Sequence, residues 1–424
     1  MKTVVENVTC TFCGCLCDDI IVEVEDNRIA RVQRVCANGR GVFTDYDPTP
    51  RRPIVAGREV EWEEAVSEAA RILVQADSPL IYGLSSSASE AQMKVVELAD
   101  LIGAIIDTTS SVCHGPTSLA MQAVGEVSCS LGEVRNRADF LIFWGCNPAA
   151  SHLRHFERYS LKPKGRYIPN GRKDRHMVVV DVRPTASAKM ADHFIQITPG
   201  ADFEVLTTLR ALVQGKEIEA GAVGGVPRIE LLELANRMKG CRYGVFFMGM
   251  GLTMSGARDY NVSELFTLVA ELNQYTRFSV MPMRGHGNVA GADQVLTWQS
   301  GYPFAVSFAR GYPQYSPGEF SAVDVLAREE VDAALILASD PVAHFPRVAG
   351  NQLKRIPAIV LDPMMNLTSE SAQVFFPTGS YGVDAAGTCY RMDNVPIRLR
   401  EVIAPMRPTD EAILGQIIEE IKRC

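Results

Sequence analysis

Phe140-Leu141-Ile142-Phe143-Trp144-Gly145-Cys146-Asn147-Pro148 is an apolar run that breaks on a glycine and an Asn-Pro turn. A short segment apolar at every position is buried on both faces, the habit of parallel strands covered by helices. Far downstream the pattern returns as Ala334-Leu335-Ile336-Leu337-Ala338-Ser339-Asp340-Pro341. The segments after each run also match. The first run leads to Met177-Val178-Val179-Val180, Asp181-Val182-Arg183-Pro184, Ala191-Asp192-His193-Phe194 and Thr198-Pro199-Gly200. The second leads to Ala358-Ile359-Val360-Leu361, Asp362-Pro363-Met364, Ala372-Gln373-Val374-Phe375 and Pro377-Thr378-Gly379. In each copy the Ala lies ten residues after the Asp. Both copies read as one α/β nucleotide-binding half used twice. Such sheets bind ligands outside the carboxyl ends of their strands, where the Asn-Pro and Asp-Pro turns fall. An Asp closing the next strand can accept hydrogen bonds from a ribose or a guanine. One such turn would read as a mere strand end; two with matching spacing point to binding.

Working outward, Trp62, Ala65, Val66, Ala69, Ala70, Ile72 and Leu73 fall at helical spacing until Asp77-Ser78-Pro79. A strand (Leu80-Ile81-Tyr82), a helix over 89–102 and a strand (Ala104-Ile105-Ile106-Asp107) come next. Val245-Phe246-Phe247 and Phe278-Ser279-Val280 are further strands, and helical patterns cover 203–213 and 262–272. The alternation predicts an α/β chain with parallel sheets covered on both faces. The domains expected are a small β-rich N-terminal one (1–53) and two related doubly wound α/β domains. One of these is discontinuous (54–135 with 310–424), and the other is inserted into it (136–309). The first copy also carries an insert. Residues 151–175 hold Arg154, Arg158, Lys162, Lys164, Arg166, Arg172, Lys173 and Arg175 against Glu157 and Asp174. A basic segment beside a dinucleotide suits phosphates; a solvated loop or a subunit contact explains it equally.

Near the N-terminus stands Cys10-Thr11-Phe12-Cys13-Gly14-Cys15-Leu16-Cys17, with Cys36 beyond it. The hairpin predicted for Ile20–Val24 and Ile29–Val32, turning at Glu25-Asp26-Asn27, would return Cys36 to Cys10, Cys13 and Cys17. Four Cys at this spacing suit a [4Fe-4S] cluster. Structural zinc is the competing reading, but it favours paired Cys-x2-Cys knuckles, and a single pair is present. Cys15 is surplus. Five of eleven Cys lie in the first 36 positions, and no export leader is evident. That clustering argues for metal binding in a reducing cytoplasm rather than a disulfide framework. Cys129, Cys146, Cys241, Cys389 and Cys424 default to buried thiols. A length of 424 residues gives room for two or three domains. A net charge of −8 gives no support for nucleic acid as the main partner, and no apolar run is long enough for a membrane span.

Two further stretches carry candidate chemistry. Ser110-Ser111-Val112-Cys113-His114-Gly115-Pro116 comes after the strand ending at Asp107, with a helix opening near Thr117. A helix N-terminus favours a thiolate, and His114 offers proton transfer near neutral pH. Cys113 is thus a nucleophile, a metal ligand or a buried thiol. Met281-Pro282-Met283-Arg284-Gly285-His286-Gly287-Asn288 is a glycine-rich turn in which Arg284 could clamp a carboxylate or simply sit in an exposed loop. His152, His155, His176, His193 and His344 read as structural.

These residues resemble the molybdopterin oxidoreductase family, which includes formate dehydrogenases and periplasmic nitrate reductases. The N-terminal Cys set looks like that family's [4Fe-4S] loop. Trp144-Gly145-Cys146-Asn147-Pro148, Asp181-Val182-Arg183 and Thr198-Pro199-Gly200 resemble its pterin dinucleotide signatures. The resemblance spans nearly the whole chain. Within the family the likeness is greatest to the B subunits of formylmethanofuran dehydrogenases, tungsten or molybdenum enzymes of methanogenic archaea. The runs Val112-Cys113-His114-Gly115-Pro116-Thr117 and Arg284-Gly285-His286-Gly287-Asn288 carry it. The family usually continues into a C-terminal β-barrel, whereas this sequence stops soon after Gly387-Thr388; in that branch the barrel is a separate subunit.

The resemblance implies a metal held by two molybdopterin guanine dinucleotides, Cys113 and a sulfido ligand, with Cys10, Cys13, Cys17 and Cys36 on the cluster. Gly145, Asn147, Asp181, Arg183, Gly200 and Asp202 would serve one dinucleotide, and Asp340, Asp362, Gly387 and Thr388 the other. CO2 would be reduced to formate, with His114 relaying a proton and Arg284 holding the carboxylate. The implied partners are an amidohydrolase-like A subunit that condenses formate with methanofuran, a C subunit, the small β-barrel D subunit and polyferredoxin-type iron–sulfur subunits. The alternatives are a formate dehydrogenase-type enzyme and a non-redox scaffold, as in the B-type subunit of aerobic methylotrophs.

Overall fold

Phe140–Trp144 is a strand buried at every position. It occupies the middle of a five-stranded, wholly parallel sheet. The order across that sheet is His193–Gln196, His176–Asp181, Phe140–Trp144, Tyr243–Met248, Arg277–Pro282. The chain steps outward on one side of Phe140–Trp144, then crosses and steps outward on the other. The switch point therefore lies between Phe140–Trp144 and Tyr243–Met248. Val205, Leu209, Leu234, Leu265 and Val269 from three helices close over Ile142, Phe246 and Val280. Each such side chain contributes roughly 1.5–3 kcal/mol by leaving water. The computed structural model describes residues 2–423, so Cys424 lies outside the described residues.

The second copy repeats this plan. Ala333–Leu337 is the centre of a nine-stranded sheet whose parallel strands run Ile105–Thr108, Pro79–Gly83, Ala333–Leu337, Ala358–Asp362, Val374–Pro377. Short antiparallel strands finish both edges. Counted from the centre, the order equals that of the first sheet. The two strands across the switch simply precede the repeat here and come after it there. The registers agree as well: Trp144 pairs with Val180 as Leu337 does with Leu361. Asp181 pairs with Gln196 as Asp362 does with Pro377. Gly145 N–H donates to Val180 O at 2.9 Å, and Ala338 N–H to Leu361 O at 2.8 Å. Both residues hold a positive φ, 58° and 47°.

The chain divides into two compact units, Met1–Ser111 with His286–Cys424, and Val112–Gly285. These cuts fall earlier in the chain, at both ends of the inserted unit, than the 136 and 309 read from sequence. The reason is an exchange of helices. In each sheet the outermost strand across the switch, Ile105–Thr108 or Arg277–Pro282, is followed by a loop and a helix. The helix after Ile105–Thr108, Gly115–Val124, packs on Asp259–Leu272 of the inserted unit. The helix after Arg277–Pro282, Val289–Ser300, packs on Ser89–Ile102 of the first unit.

The N-terminal hairpin forms from Ile20–Glu25 and Arg28–Gln33, and Lys2–Val8 adds a third antiparallel strand. This sheet belongs to the first unit rather than standing alone. No helix among the described residues is long and apolar enough to cross a membrane.

Candidate active site and cysteine loop

The cysteine loop connects Lys2–Val8 to Ile20–Glu25. It closes on itself through Cys10 N–H to Cys17 O at 2.9 Å and Leu16 N–H to Cys13 O at 3.0 Å. The loop is also pinned from outside. Tyr381 Oη donates to Thr11 O at 3.0 Å, and Met392 N–H to Gly14 O at 2.8 Å. Cys36 caps the helix Ala37–Thr44, its Sγ accepting from Gly39 N–H at 3.4 Å. A Cβ on Gly39 would come within 2.6 Å of Cys10 Sγ, so glycine is what lets this helix approach the loop. Burial pushes the Cys10 thiol up, and the nearby sulfurs of Cys13, Cys17 and Cys36 push it further. All four ligand candidates therefore share one environment. The surplus Cys15 is fully buried and hydrogen-bonds Cys13, holding that thiol below its ordinary range. Among the described residues, no three His, Cys, Asp or Glu side chains are spaced to grip a single metal ion. Four neighbouring Cys sulfurs, one of them receiving a backbone N–H, are chemically compatible with the thiolate donors that an iron–sulfur cluster needs.

Cys113, His114 and Arg284 all lie in the Val112–Gly285 unit. The segment leading to Cys113 is fixed from below: Asp107 accepts the backbone N–H of Thr108, Ala305 and Ala322 at 2.7–3.1 Å. Asp293 accepts Ser110 Oγ at 2.6 Å. Half-buried Cys113 precedes the helix Gly115–Val124, with Pro116 in its first turn. Its carbonyl accepts from buried Thr253 Oγ1 at 2.8 Å. His114 is buried; Nδ1 lies 3.2 Å from Thr117 Oγ1, and Nε2 is enclosed without a hydrogen-bond partner. Burial first, and then the Arg284 charge, push its pKa down to about 3. A backbone contact with Met283 acts the other way without offsetting this, so the ring is a neutral imidazole.

Arg284 is buried rather than exposed, in the loop after Arg277–Pro282. Its carbonyl accepts from His152 Nε2 at 2.8 Å. Glu126 feels the guanidinium, but burial dominates and raises its carboxyl to about 7. Sequence reasoning missed Thr253, Glu126 and the tether from His152.

At the two carboxyl-end faces the candidate residues divide. Asn147 Oδ1 accepts Ser187 Oγ at 2.7 Å and Ser187 N–H at 3.0 Å. Asp340 Oδ1 accepts Thr368 Oγ1 at 2.6 Å and Thr368 N–H at 3.0 Å. These two residues hold the next loop in place. Asp202 is buried and accepts Trp144 Nε1 at 2.8 Å and Ser255 Oγ at 2.9 Å, so its carboxylate locks the sheet to the helix Asp202–Val213. Thr388 is held by Glu90, through N–H at 2.9 Å and Oγ1 at 2.8 Å, and Gly387 backs onto the same carboxylate. Asp181 and Asp362 close their strands, each receiving the N–H two residues on, at 3.4 and 2.9 Å. Burial raises both carboxyls, Asp362 to about 7 with Asp410 and Asp340 adding to it. Arg183, which acts on Asp181, and Gly200 are both exposed. At the switch point Gly145 meets Gly249 and Gly251 so closely that a Cβ on Gly145 would lie 2.6 Å from Leu252 N.

The basic segment does not behave as one surface. Arg175 is buried, donating to the carbonyls of Arg135, Ala138, Leu161 and Pro163 at 2.5–3.3 Å. Its neighbours are thereby pinned beside the amino ends of Phe140–Trp144 and His176–Asp181, opposite the face where the Asp carboxylates lie.

No protein-family model matches the sequence. The chain is 45% identical over 432 aligned residues to the B subunit of tungsten-containing formylmethanofuran dehydrogenase 2 of Methanocaldococcus jannaschii, covering 100% of this chain and 99% of that one. It is 42% identical to the subunit of the same name in Methanococcus maripaludis, over 99% of each chain. Among solved structures, a chain of the formyltransferase/hydrolase complex FhcABCD from Methylorubrum extorquens, crystallised with methylofuran, superposes with a TM-score of 0.72. That alignment covers 88% of this chain and 99% of that chain at 23% identity, a likeness of fold. Identity this deep across the full length of the two methanogen subunits means that the chain belongs to the family of formylmethanofuran dehydrogenase B subunits, a family of oxidoreductase subunits.

Proposed function

We propose that this chain is the redox subunit of a formylmethanofuran dehydrogenase, reducing CO2 to formate at a tungsten or molybdenum centre. The observation that carries the reading is the grouping of Cys113, a buried Arg284 and a buried, neutral His114 in one unit. When bound, a [4Fe-4S] cluster on Cys10, Cys13, Cys17 and Cys36 would supply single electrons, and a metal–pterin centre on Cys113 the two-electron, one-proton reduction of CO2. The chain's own residues set the conditions. Arg284 supplies a fixed, buried positive charge where negative charge develops on the substrate. His114, held neutral, offers a hydrogen bond or a proton site to the same guest without adding a second charge. Asp181 and Asp362 are the side chains best placed for the two pterin dinucleotides, since Asn147, Asp202, Asp340 and Thr388 are committed to holding the loops. Formate would pass to another subunit for condensation with methanofuran, in keeping with the subunit names of the relatives.

The scaffold reading is favoured by the likeness to the Fhc chain, and it makes the opposite prediction on metal content. Elemental analysis of the purified complex decides between them. Tungsten or molybdenum together with four irons assignable to this subunit is the expected result, and absence of both heavy metals would falsify the redox role. A Cys113→Ala protein should keep the cluster's electron paramagnetic resonance signal and lose CO2 reduction.

A further inference from the structure

Of the repeat's two copies, the first places a histidine where the second places a phenylalanine. His152 lies five residues after Asn147, and Phe345 five after Asp340. The slots are equivalent by their bonds. His152 N–H caps onto Pro148 O at 2.9 Å, and Phe345 N–H onto Pro341 O at 2.8 Å. Both side chains are buried, at 3% and 9% exposure. In the second copy the slot needs only an apolar body, which packs edge-on against Tyr82 with ring centroids 4.8 Å apart. In the first copy the same slot holds an imidazole, whose two nitrogens both require partners when buried.

Those partners assign the ring's state. The Arg284 carbonyl can only accept, so Nε2 carries the hydrogen. Burial pushes the pKa down, so the ring is neutral, and Nδ1 lies 2.8 Å from Ser151 Oγ, a hydroxyl that Nδ1 shares with Asn147 O at 3.1 Å. Arg284 itself stands in a loop otherwise fastened through its backbone, Met283 N–H to Met248 O at 2.8 Å and Arg284 N–H to Pro282 O at 3.1 Å. The donor is the C-cap of the short helix Pro148–Ser151, which opens at Asn147 beside the switch point.

We propose that His152 is a positioning residue: its Nε2–H tethers the Arg284 carbonyl and so aims the guanidinium at a substrate carboxylate. The tether also ties the Asn147-Pro148 turn to the reaction centre. The proposal rests on the carboxylate-clamp reading of Arg284 given above.

The test uses the intact, metal-loaded complex, with formate as substrate and a viologen dye as electron acceptor. His152→Phe copies the residue that the second repeat accepts, so the slot stays filled. Losing the hydrogen bond should raise KM for formate about tenfold, with a smaller change in kcat. The metal's paramagnetic resonance spectrum should stay as in the parent. His152→Gln, which keeps a donor, should restore KM to within about threefold. In an Arg284→Ala background, adding His152→Phe should leave KM where Arg284→Ala alone puts it. Where Arg284→Ala raises KM, an unchanged KM in His152→Phe, or effects that multiply in the double variant, would overturn the tether. Hydrogen exchange separates this failure from that of the clamp: His152→Phe should speed exchange of a peptide spanning 283–287 even if Arg284→Ala leaves KM untouched. Should Arg284→Ala leave KM unchanged while exchange still rises, the clamp reading falls and the tether remains. Unchanged exchange sinks the tether itself.

Discussion

Replacing Gly145 by alanine tests whether the switch point is as tightly built as it looks. Gly145 has φ +58°, and its missing Cβ faces Leu252 N at 2.6 Å and Gly251 Cα at 2.9 Å. An alanine there costs about 1–2 kcal/mol for the left-handed backbone. Its methyl must also displace backbone, not a flexible side-chain tip, which adds about 1–3 kcal/mol. The sum is about 3 kcal/mol, or roughly 6–12 °C in the unfolding midpoint of a unit the size of Val112–Gly285. Gly200 is the control: its φ is +84°, but no atom stands within 4 Å of a Cβ built on it. Gly200→Ala, with the backbone cost alone, should lower the midpoint by about 2–8 °C and by less than Gly145→Ala. Scanning calorimetry measures both, and hydrogen exchange of the Phe140–Trp144 strand assigns the transition to this unit. Equal shifts for the two variants would refute the argument, because backbone conformation alone would then account for both.

Arg175→Met keeps the apolar stem and strips hydrogen bonds from four carbonyls, at a cost of about 3 kcal/mol or more. Trypsin should then cleave at the basic residues of 162–173 faster than in the parent, and an unchanged cleavage rate would count against Arg175 as the anchor. Asp362 gives a pH signature. Its carboxyl is raised to about 7, so between about pH 4 and 7 the folded chain holds a proton that the unfolded chain has lost. Its contribution to stability is therefore greatest at the acid end and declines as pH rises through 7. Asp362→Asn should flatten that slope in denaturant midpoints measured from pH 5 to 8; a slope equal to the parent's would show that the site does not bind the proton.

What was legible in the sequence tracked burial. Strands such as Phe140–Trp144 and Ala333–Leu337 announce themselves because both faces are covered and every position is apolar. Lys2–Val8 escaped because it is an exposed edge strand with a single buried residue, Val8, and so has no apolar alternation to read. The helix Ala37–Thr44 contains two glycines and has poor intrinsic propensity. It forms because Cys36 caps it, a fact invisible to a pattern of hydrophobicity. The cuts between the compact units differ from the boundaries read in sequence for a different reason. Helical periodicity shows that Gly115–Val124 and Val289–Ser300 have apolar faces, but not which sheet those faces meet. Thr253 and Glu126 gave no signal, since their partners Cys113 and Arg284 are remote in sequence. His152 did leave one, a histidine in a position where the aligned repeat has phenylalanine.

That last contrast bears on how the site is built. The two copies keep the same framework: Asn147 with Ser187 in one, Asp340 with Thr368 in the other, each pair matched in donors and acceptors. Ala149 N–H completes the first set by donating to Ser187 Oγ, and Val342 N–H completes the second by donating to Thr368 Oγ1, both at 3.1 Å. Where hydrogen bonding is preserved in this detail, the pair's job is to hold a loop, and either an amide or a carboxylate oxygen suffices. Departures from the shared pattern then carry the information about chemistry. The segments after the outermost strand across the switch differ between the copies. One became Val112-Cys113-His114, and the other became Met283-Arg284-Gly285. The first is fastened by Thr253 and the second by His152, each through a backbone carbonyl. A carbonyl tether fixes a residue's main chain without enlisting its side chain. The cysteine loop is held in the same way, with Tyr381 and Met392 donating to the carbonyls of Thr11 and Gly14. In this chain the candidate side chains are therefore marked less by what they touch than by how firmly the backbone beneath them is held.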